Sequence, residues 1–417
     1  MIINKSTFLN DYLSQSSLNE DLYPVVKDIC DTVKASGDSA LKSYNLQLDG
    51  VETSELIVPY SDLVTAYNKI DDSLRDALTT SHNRIKAFQS TIKWSDKQGD
   101  DECYEMYHPL ERVGVYVPGG KASYPSTVLM TVTLAKVAGV EDISVVTPPQ
   151  KDGLSDAVLA ACYIAGADNV YQVGGAQSIA ALAYGTETIP KVDKIVGPGN
   201  QYVAYAKKYL YGQVGIDQIA GPSEIALIID DTADLNAITY DVFAQAEHDE
   251  LARTFVISED RDVLERLESN IQQHLRTIER QPIVEASLNN NHFLIAVANQ
   301  DEASAVMNQI APEHASIQTA NPHDYLNKVR YVGALFIGHY SPEVIGDYVA
   351  GPSHVLPTNQ TARFTNGLSV NDFLTRHSVI NLSERSFNEI EGAARTLAHT
   401  EALYNHEQSI QVRTTKE

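Results

Sequence analysis

RVGVYVPGGKASYPSTVLMTVTLAKVAGVEDISVVTPP, residues 112–149, is the stretch whose reading decides the fold. Residues 113–117 form a short apolar run closed by Pro118, Gly119 and Gly120, which reads as a buried strand entering a tight turn. Residues 126–137 have the length and composition of a helix, and 143–146 form a second strand. Strand, helix and strand in this order make a βαβ unit, whose strands lie parallel.

The same texture extends outward. A helix over 155–165 and strands over 170–173 and 194–196 follow, then a helix over 202–210. A second series starts at Ser223, with strands over 224–229, 254–257, 293–297, 315–318 and 334–337 and a helix over 235–247 among those between them. This rhythm predicts an α/β fold: two consecutive, incomplete Rossmann-like parallel-sheet domains, at 111–222 and 223–370. Residues 1–110 read as a mostly helical N-terminal region. A helix over 21–35 stops at Gly37, where Asp38 can cap the next one. Leu56-Ile57-Val58 is a short strand candidate, and 72–93 a longer helix. Beyond Gly346 the pattern dissolves into Gly, Pro, Ser and Thr, with a last helix near 386–398. The tail, 371–417, is too short to bury a core of its own, so it must pack on something else.

Composition bounds the function. At 417 residues the chain exceeds the usual span of one core. Its 43% hydrophobic and 21% charged residues are ordinary for a globular protein. A formal charge of -24 opposes binding to a phosphate backbone, which excludes a nucleic-acid role. Three cysteines (Cys30, Cys103, Cys162) provide neither a disulfide framework nor a Cys-rich zinc site. The first ten residues lack the apolar core of a signal peptide, and no apolar run reaches the about 18 residues of a membrane span. A cytoplasmic protein without a membrane segment is expected.

Three glycine-rich turns share one design, each following a strand and opening a helix: Pro118-Gly119-Gly120, Gly174-Gly175-Ala176-Gln177 and Gly197-Pro198-Gly199-Asn200. Glycine lets backbone N–H groups approach a ligand, and a helix N-terminus favours an anion. None is the G-x-G-x-x-G of dinucleotide folds, so a structural role and a phosphate-binding role both stand.

Gln245 and His248 are three apart, a spacing that on a helix places both on one face, where they can serve as two metal ligands or as a solvated face. Asp347, in the irregular Gly346-Asp347-Tyr348, is a functional carboxylate or a turn former, and His406 is a ligand or a solvated terminal residue. Imidazole and carboxylate together suit Zn or Mn. Glu313-His314 follows Pro312 at the start of a predicted strand and offers two acid–base groups. Neighbours in a strand point to opposite faces, so both reach one pocket only where the backbone bends, and Pro312 supplies a reason for a bend.

Seven motifs in order resemble the histidinol dehydrogenase family, over 112–413: Val-Tyr-Val-Pro-Gly-Gly (115–120), Val-Gly-Gly-Ala-Gln (173–177) with Tyr-Gly-Thr-Glu-Thr-Ile-Pro (184–190), Val-Gly-Pro-Gly-Asn (196–200), Ala-Gly-Pro-Ser-Glu (220–224), Gln-Ala-Glu-His-Asp (245–249), Ala-Pro-Glu-His (311–314) and Gly-Pro-Ser-His-Val-Leu-Pro-Thr (351–358). The resemblance implies an NAD-dependent, zinc-dependent dehydrogenase that oxidises L-histidinol to L-histidine by way of the aldehyde, with one Zn2+ per subunit. It implies zinc ligands at Gln245, His248, Asp347 and His406, and a catalytic pair at Glu313 and His314. Substrate contacts fall on Ser223, His354 and Glu401 as well as on these ligands and the pair, and NAD+ contacts on Tyr116, Gln177 and Asn200. It also implies a homodimer in which the tail lends residues to the partner's site, which answers the question of what the tail packs on. Met130-Thr131-Val132-Thr133-Leu134 departs from the family's usual Asn-Ala-x-Pro run, and Glu250 stands where Pro is common. A zinc hydrolase, with Glu313 activating water and no NAD+, and a metal-dependent binding protein or a paralogue acting on another amino alcohol are the rival readings. A thiol route is disfavoured: Cys162 reads as helix core, and Cys103 sits among Asp101, Glu102 and Glu105.

Overall fold

The computed structural model describes residues 2–11, 20–119 and 123–414. The strands among them, in chain order, are β1 (Ile2–Asn4), β2 (Lys97–Gly99), β3 (Cys103–Pro109), β4 (Arg112–Tyr116), β5 (Asp142–Thr147), β6 (Asn169–Gln172), β7 (Lys194–Val196), β8 (Gly215–Ile216), β9 (Glu224–Ile229), β10 (Arg253–Ser258), β11 (His292–Ala296), β12 (His314–Gln318), β13 (Ala334–Ile337) and β14 (Leu374–Ile380). They form a five-stranded sheet in the order β6-β5-β4-β7-β8, a six-stranded sheet in the order β1-β11-β10-β9-β12-β13, and a three-stranded sheet β14-β3-β2. Every pairing in the two larger sheets is parallel. The α/β fold with parallel sheets is the one that the strand–helix alternation predicts.

Both large sheets are covered on two faces, which is why their strands read as continuous apolar runs rather than alternating ones. All six residues of β9 are buried, including Glu224 at its start. Ile225, Leu227 and Ile229 face one hydrophobic cluster with Val242 and Phe243, while Ala226 and Ile228 face another with Phe255 and Ile317. In the first sheet, Val26, Ile29 and Val33 of the helix Tyr23–Tyr44 pack into one cluster with Ile179 and Leu182 of the helix Gly175–Tyr184. The segment that departs from the family pattern, 130–134, is buried inside the helix Pro125–Ala138, and Thr131 turns its hydroxyl back onto the Thr127 carbonyl. A departure there is a matter of core packing.

The chain divides into two compact units. One comprises Met1–Ile92 and Leu110–Phe373, the other Lys93–Pro109 and Leu374–Glu417. In the second unit β14 runs antiparallel to β3 from Leu374 opposite Pro109 to Ile380 opposite Cys103, and the helices Glu384–Thr400 and Tyr404–Thr414 follow. The tail thus packs on a segment from far upstream in its own chain. Within 1–110, expected to be mostly helical, 97–99 and 103–109 are strands that pair with each other, and 103–109 pairs on its other side with β14. A second helix also follows the one expected to be last.

Other local expectations shift. Ile2–Asn4 adds to the edge of the six-stranded sheet beside β11. Residues 56–58 make only an isolated antiparallel bridge, Ile57 to Tyr171. Gly37 is non-helical, at φ +52° and ψ -134°, yet helix resumes after it within Tyr23–Tyr44. The Asp38 carboxylate does not cap that resumption; it accepts bonds from the Thr188 backbone N–H and hydroxyl.

Candidate active site

Apart from Glu401 and His406, the side chains singled out in sequence gather at two places in the first unit. Around the five-stranded sheet, Tyr116 ends β4, Gln177 lies in the first turn of the helix after β6, and Asn200 caps the helix Gln201–Leu210 after β7. The chain moves from β4 to β5 and β6 on one side, and β7 and β8 lie on the other, so the strand order reverses between β4 and β7. Parallel sheets open a ligand crevice at the carboxyl ends of strands at such a point. Tyr116 is buried, its phenol pushed up to about 12 by desolvation, and its hydroxyl accepts from the Gly175 N–H at 3.4 Å. Gln177 is buried with Oε1 unpartnered. The exposed Asn200 accepts from the Val203 N–H at 3.2 Å. Of the first glycine turn, Gly120 lies outside the described residues.

The second cluster sits on the amino-terminal edge of the six-stranded sheet, opposite to the edge that strand topology alone favours. The helix Leu235–Ala246 starts at Asp234, whose carboxylate accepts from the Asn236 and Ala237 N–H groups, and ends just after Gln245. His248 is therefore not on that helix. It lies in the turn beyond, exposed, and its N–H donates to the Gln245 carbonyl at 3.3 Å, which keeps the two residues neighbours. The helix Gln300–Ile310 stops at Ala311, which adopts φ +45°; Pro312 follows, and β12 begins at His314. This bend lets both members of the adjacent pair turn inward: Glu313 Oε2 is 3.8 Å from His314 Nδ1, and both residues are buried.

Asp347, expected in irregular chain, is on the short helix Glu343–Tyr348, with Oδ1 3.8 Å from His314 Nε2. The Asp347 carbonyl lies 3.1 Å from His354 Nδ1, and His354 Nε2 is 3.2 Å from the Thr127 hydroxyl. Ser223 immediately precedes β9 and is partly exposed; its carbonyl accepts from the Arg253 N–H at 2.9 Å. Glu401 and His406 belong to the second unit, where both are exposed.

Two carboxylates complete the cluster that sequence reasoning passed over. Glu343 is 1% exposed, and neither of its carboxylate oxygens has a hydrogen-bond partner. One ligand atom from each of His248, Glu343 and Asp347 lies within 4.8 Å of the other two. The signal was present: Pro342 opens a short helix, and an acid pair spaced i,i+4 shares one face. Glu224, inside the quoted Ala-Gly-Pro-Ser-Glu, offers its N–H to Glu313 Oε2 at 3.0 Å and its carboxylate to Arg253 at 3.2 Å.

Burial dominates the electrostatics. It raises Glu313 and Glu343 well above the usual carboxylate range, and Asp347 to about 7. Glu224 reaches about 7 through desolvation, against the pull of Arg253. His314 falls to about 3 and His354 to about 4, each chiefly through desolvation. Nδ1 of His314 faces two oxygens at 3.2 Å, the Glu224 carbonyl and Gln245 Oε1. The backbone carbonyl only accepts, so Nδ1 carries the hydrogen and Nε2 keeps a free lone pair. Beside it a cavity of about 340 Å3 is lined by His314, Phe336, Asp347 and His354.

Unmet bonds show that this donor set suits a divalent cation. Both oxygens of Glu343 are buried without partners, beside the His248–Glu343–Asp347 group. Unpaired buried carboxylates are expensive, and a cation among them removes the cost.

Comparison with known proteins identifies the family. The family model described as histidinol dehydrogenase matches residues 13–414. The histidinol dehydrogenase of Staphylococcus saprophyticus is 76% identical over 417 residues, covering 100% of this chain and 99% of that one. That of Staphylococcus aureus strain MRSA252 is 66% identical over 414 residues, covering 99% of each. The crystal structure of histidinol dehydrogenase from Elizabethkingia anophelis superposes with a TM-score of 0.94 at 31% identity, covering 99% of this chain and 96% of that one. With sequence and fold matching over essentially its whole length, this chain belongs to the histidinol dehydrogenase family.

Proposed function

We propose that the protein, an oxidoreductase of histidine biosynthesis by its family, carries out the zinc-dependent, NAD-linked oxidation of L-histidinol to L-histidine through the aldehyde. The observation that carries this reading is the cluster at the amino edge of the six-stranded sheet. There an imidazole with a free Nε2, a buried Glu and the His248–Glu343–Asp347 group, with both Glu343 oxygens unpartnered, come together, and His314 and Asp347 line one cavity.

Gln245, His248 and Asp347 would hold the zinc, with His406 supplied by the partner subunit of a homodimer and Glu401 reaching the substrate from the same tail. When bound, the ion supplies a template for the substrate's imidazole and amine nitrogens, and NAD+ accepts hydride. His314 Nε2 takes the alcohol proton in the first oxidation. Its burial keeps the ring neutral, and the bond at Nδ1 holds the lone pair pointed at the cavity. Glu313, whose carboxylate is held by the Glu224 N–H, removes a proton from the water that adds to the aldehyde; burial makes it a stronger base than a solvated Glu. Ser223 and His354 flank the substrate, and Thr127 fixes the His354 ring. Tyr116, Gln177 and Asn200 would contact NAD+ where the strand order reverses between β4 and β7. A Cys nucleophile is not needed: Cys162 is buried, with its thiol pushed up to about 12.

The test is stoichiometric. About two NADH should form per histidinol consumed, as a four-electron oxidation by a two-electron acceptor requires, and a chelator should stop turnover until zinc is restored. Consumption of histidinol without NADH would favour the hydrolase reading; no consumption by zinc-loaded protein would sink both.

A further inference from the structure

A buried ion pair lies away from the acid–base cluster. Lys207, on the helix Gln201–Leu210, and Asp217, just after β8, are each 3% exposed at the side chain, with Nζ 2.7 Å from Oδ1. Both also hold the same glycine. Lys207 Nζ donates to the Gly197 carbonyl at 2.5 Å, and the Gly197 N–H donates to Asp217 Oδ2 at 2.7 Å. Gly197 sits at φ +110°, and a Cβ there would fall 2.2 Å from the Tyr116 carbonyl oxygen. The ion pair therefore clamps, from both sides, a residue at which the β7 turn presses on the end of β4. That contact lies at the point where the strand order reverses.

Stability alone gives a poor reason to bury such a pair. Desolvating two charges offsets most of their attraction, and apolar replacements of similar size are often neutral or better. What the pair adds is geometry. It fixes both peptide groups of Gly197, and with them the course of Pro198, Gly199 and Asn200 into the helix N-terminus. A turn that meets a ligand through backbone groups binds more tightly when its shape is set in advance.

We propose that Lys207 and Asp217 are positioning residues for the dinucleotide, holding the 197–200 turn in its binding shape while touching no ligand themselves. This rests on the reading of the β4–β7 crevice as the NAD+ site. The experiment uses the zinc-loaded protein and the double variant Lys207→Met/Asp217→Asn, which removes both charges together and strands neither. NADH affinity is read by nucleotide fluorescence, histidinol affinity by calorimetry, and folding by thermal melting. The double variant should melt close to wild type and bind histidinol within about twofold, yet bind NADH at least about tenfold more weakly, a change of about 1.4 kcal/mol. KM for NAD+ should rise far more than kcat falls. Should the double variant not fold, Asp217→Glu keeps the charge pair but displaces the turn by one methylene, and should also weaken NADH binding. Wild-type NADH affinity in whichever variant folds overturns the inference. Wild-type protein that binds no NADH overturns instead the reading of the crevice.

Discussion

Glu313 and His314 are neighbours in sequence, and burial drives both toward neutrality from opposite directions. That asymmetry assigns their work. A neutral imidazole with a free Nε2 is ready to take a proton, whereas a carboxylate of raised pKa, once ionised, is a strong base toward water. Only the second oxidation needs activated water. Glu313→Gln should therefore slow aldehyde oxidation by about 10²–10⁴-fold, the usual worth of a general base, and alcohol oxidation far less. Assaying the two halves separately decides the matter, since equal losses would give Glu313 a binding or structural role. Glu343 faces His248 and Asp347 with two unpartnered oxygens, so its charge should help hold the ion. Glu343→Gln is expected to weaken zinc binding by about 10–100-fold in chelator competition, the range for groups around a metal's ligands. Unchanged affinity would remove Glu343 from the metal centre.

Individual strands and turns decide what these residues can reach. Ala311 in a left-handed conformation, followed by Pro312, ends a helix and starts β12 with two successive side chains turned inward; a straight strand would send one of them to the far face. Elsewhere the pairing of β10 with β11 sets His292 beside Thr254, with Nδ1 2.7 Å from the Thr254 hydroxyl and Nε2 shut off from solvent without a partner. Burial lowers its pKa from 6.5 to about 4. A depressed histidine leaves the folded state binding fewer protons than the unfolded one. Its contribution is therefore intact above about pH 6.5 and is lost as pH falls toward 4, by something on the order of 2 kcal/mol. In urea unfolding between pH 7 and 4.5, wild type should lose stability relative to His292→Gln; parallel curves would show that the ring does not titrate on unfolding.

At the scale of the whole molecule, the chain divides its expected site between two units. Gln245, His248, Glu313, His314 and Asp347 belong to the first, while Glu401 and His406 are exposed on the second. The proposed homodimer, with each tail completing the partner's site, can be tested by complementation. Glu313→Gln and His406→Asn, each inactive alone, are dissociated and mixed. If the tail crosses, a mixed dimer holds one site with both lesions and one with neither, so activity returns to about a quarter of wild type at statistical mixing. Verified mixed dimers without regained activity would place His406 in its own subunit's site.

Sequence alone was enough for the parallel α/β architecture, because strand and helix periodicity is written in neighbouring residues and the apolar runs of β4, β5 and β9 admit burial on both faces. It was enough also for the order of the motifs and hence the family. Tertiary structure alone decided what depends on residues far apart. The cluster forms on the amino edge of the six-stranded sheet because a helix end, a left-handed residue and a short helix meet there. Glu343 joins that cluster, β3 waits for β14, and Lys207 and Asp217 close on one glycine. Burial is a property of what packs around a side chain. A carboxylate's neighbours across a sheet edge leave no trace in the local pattern that reveals a strand.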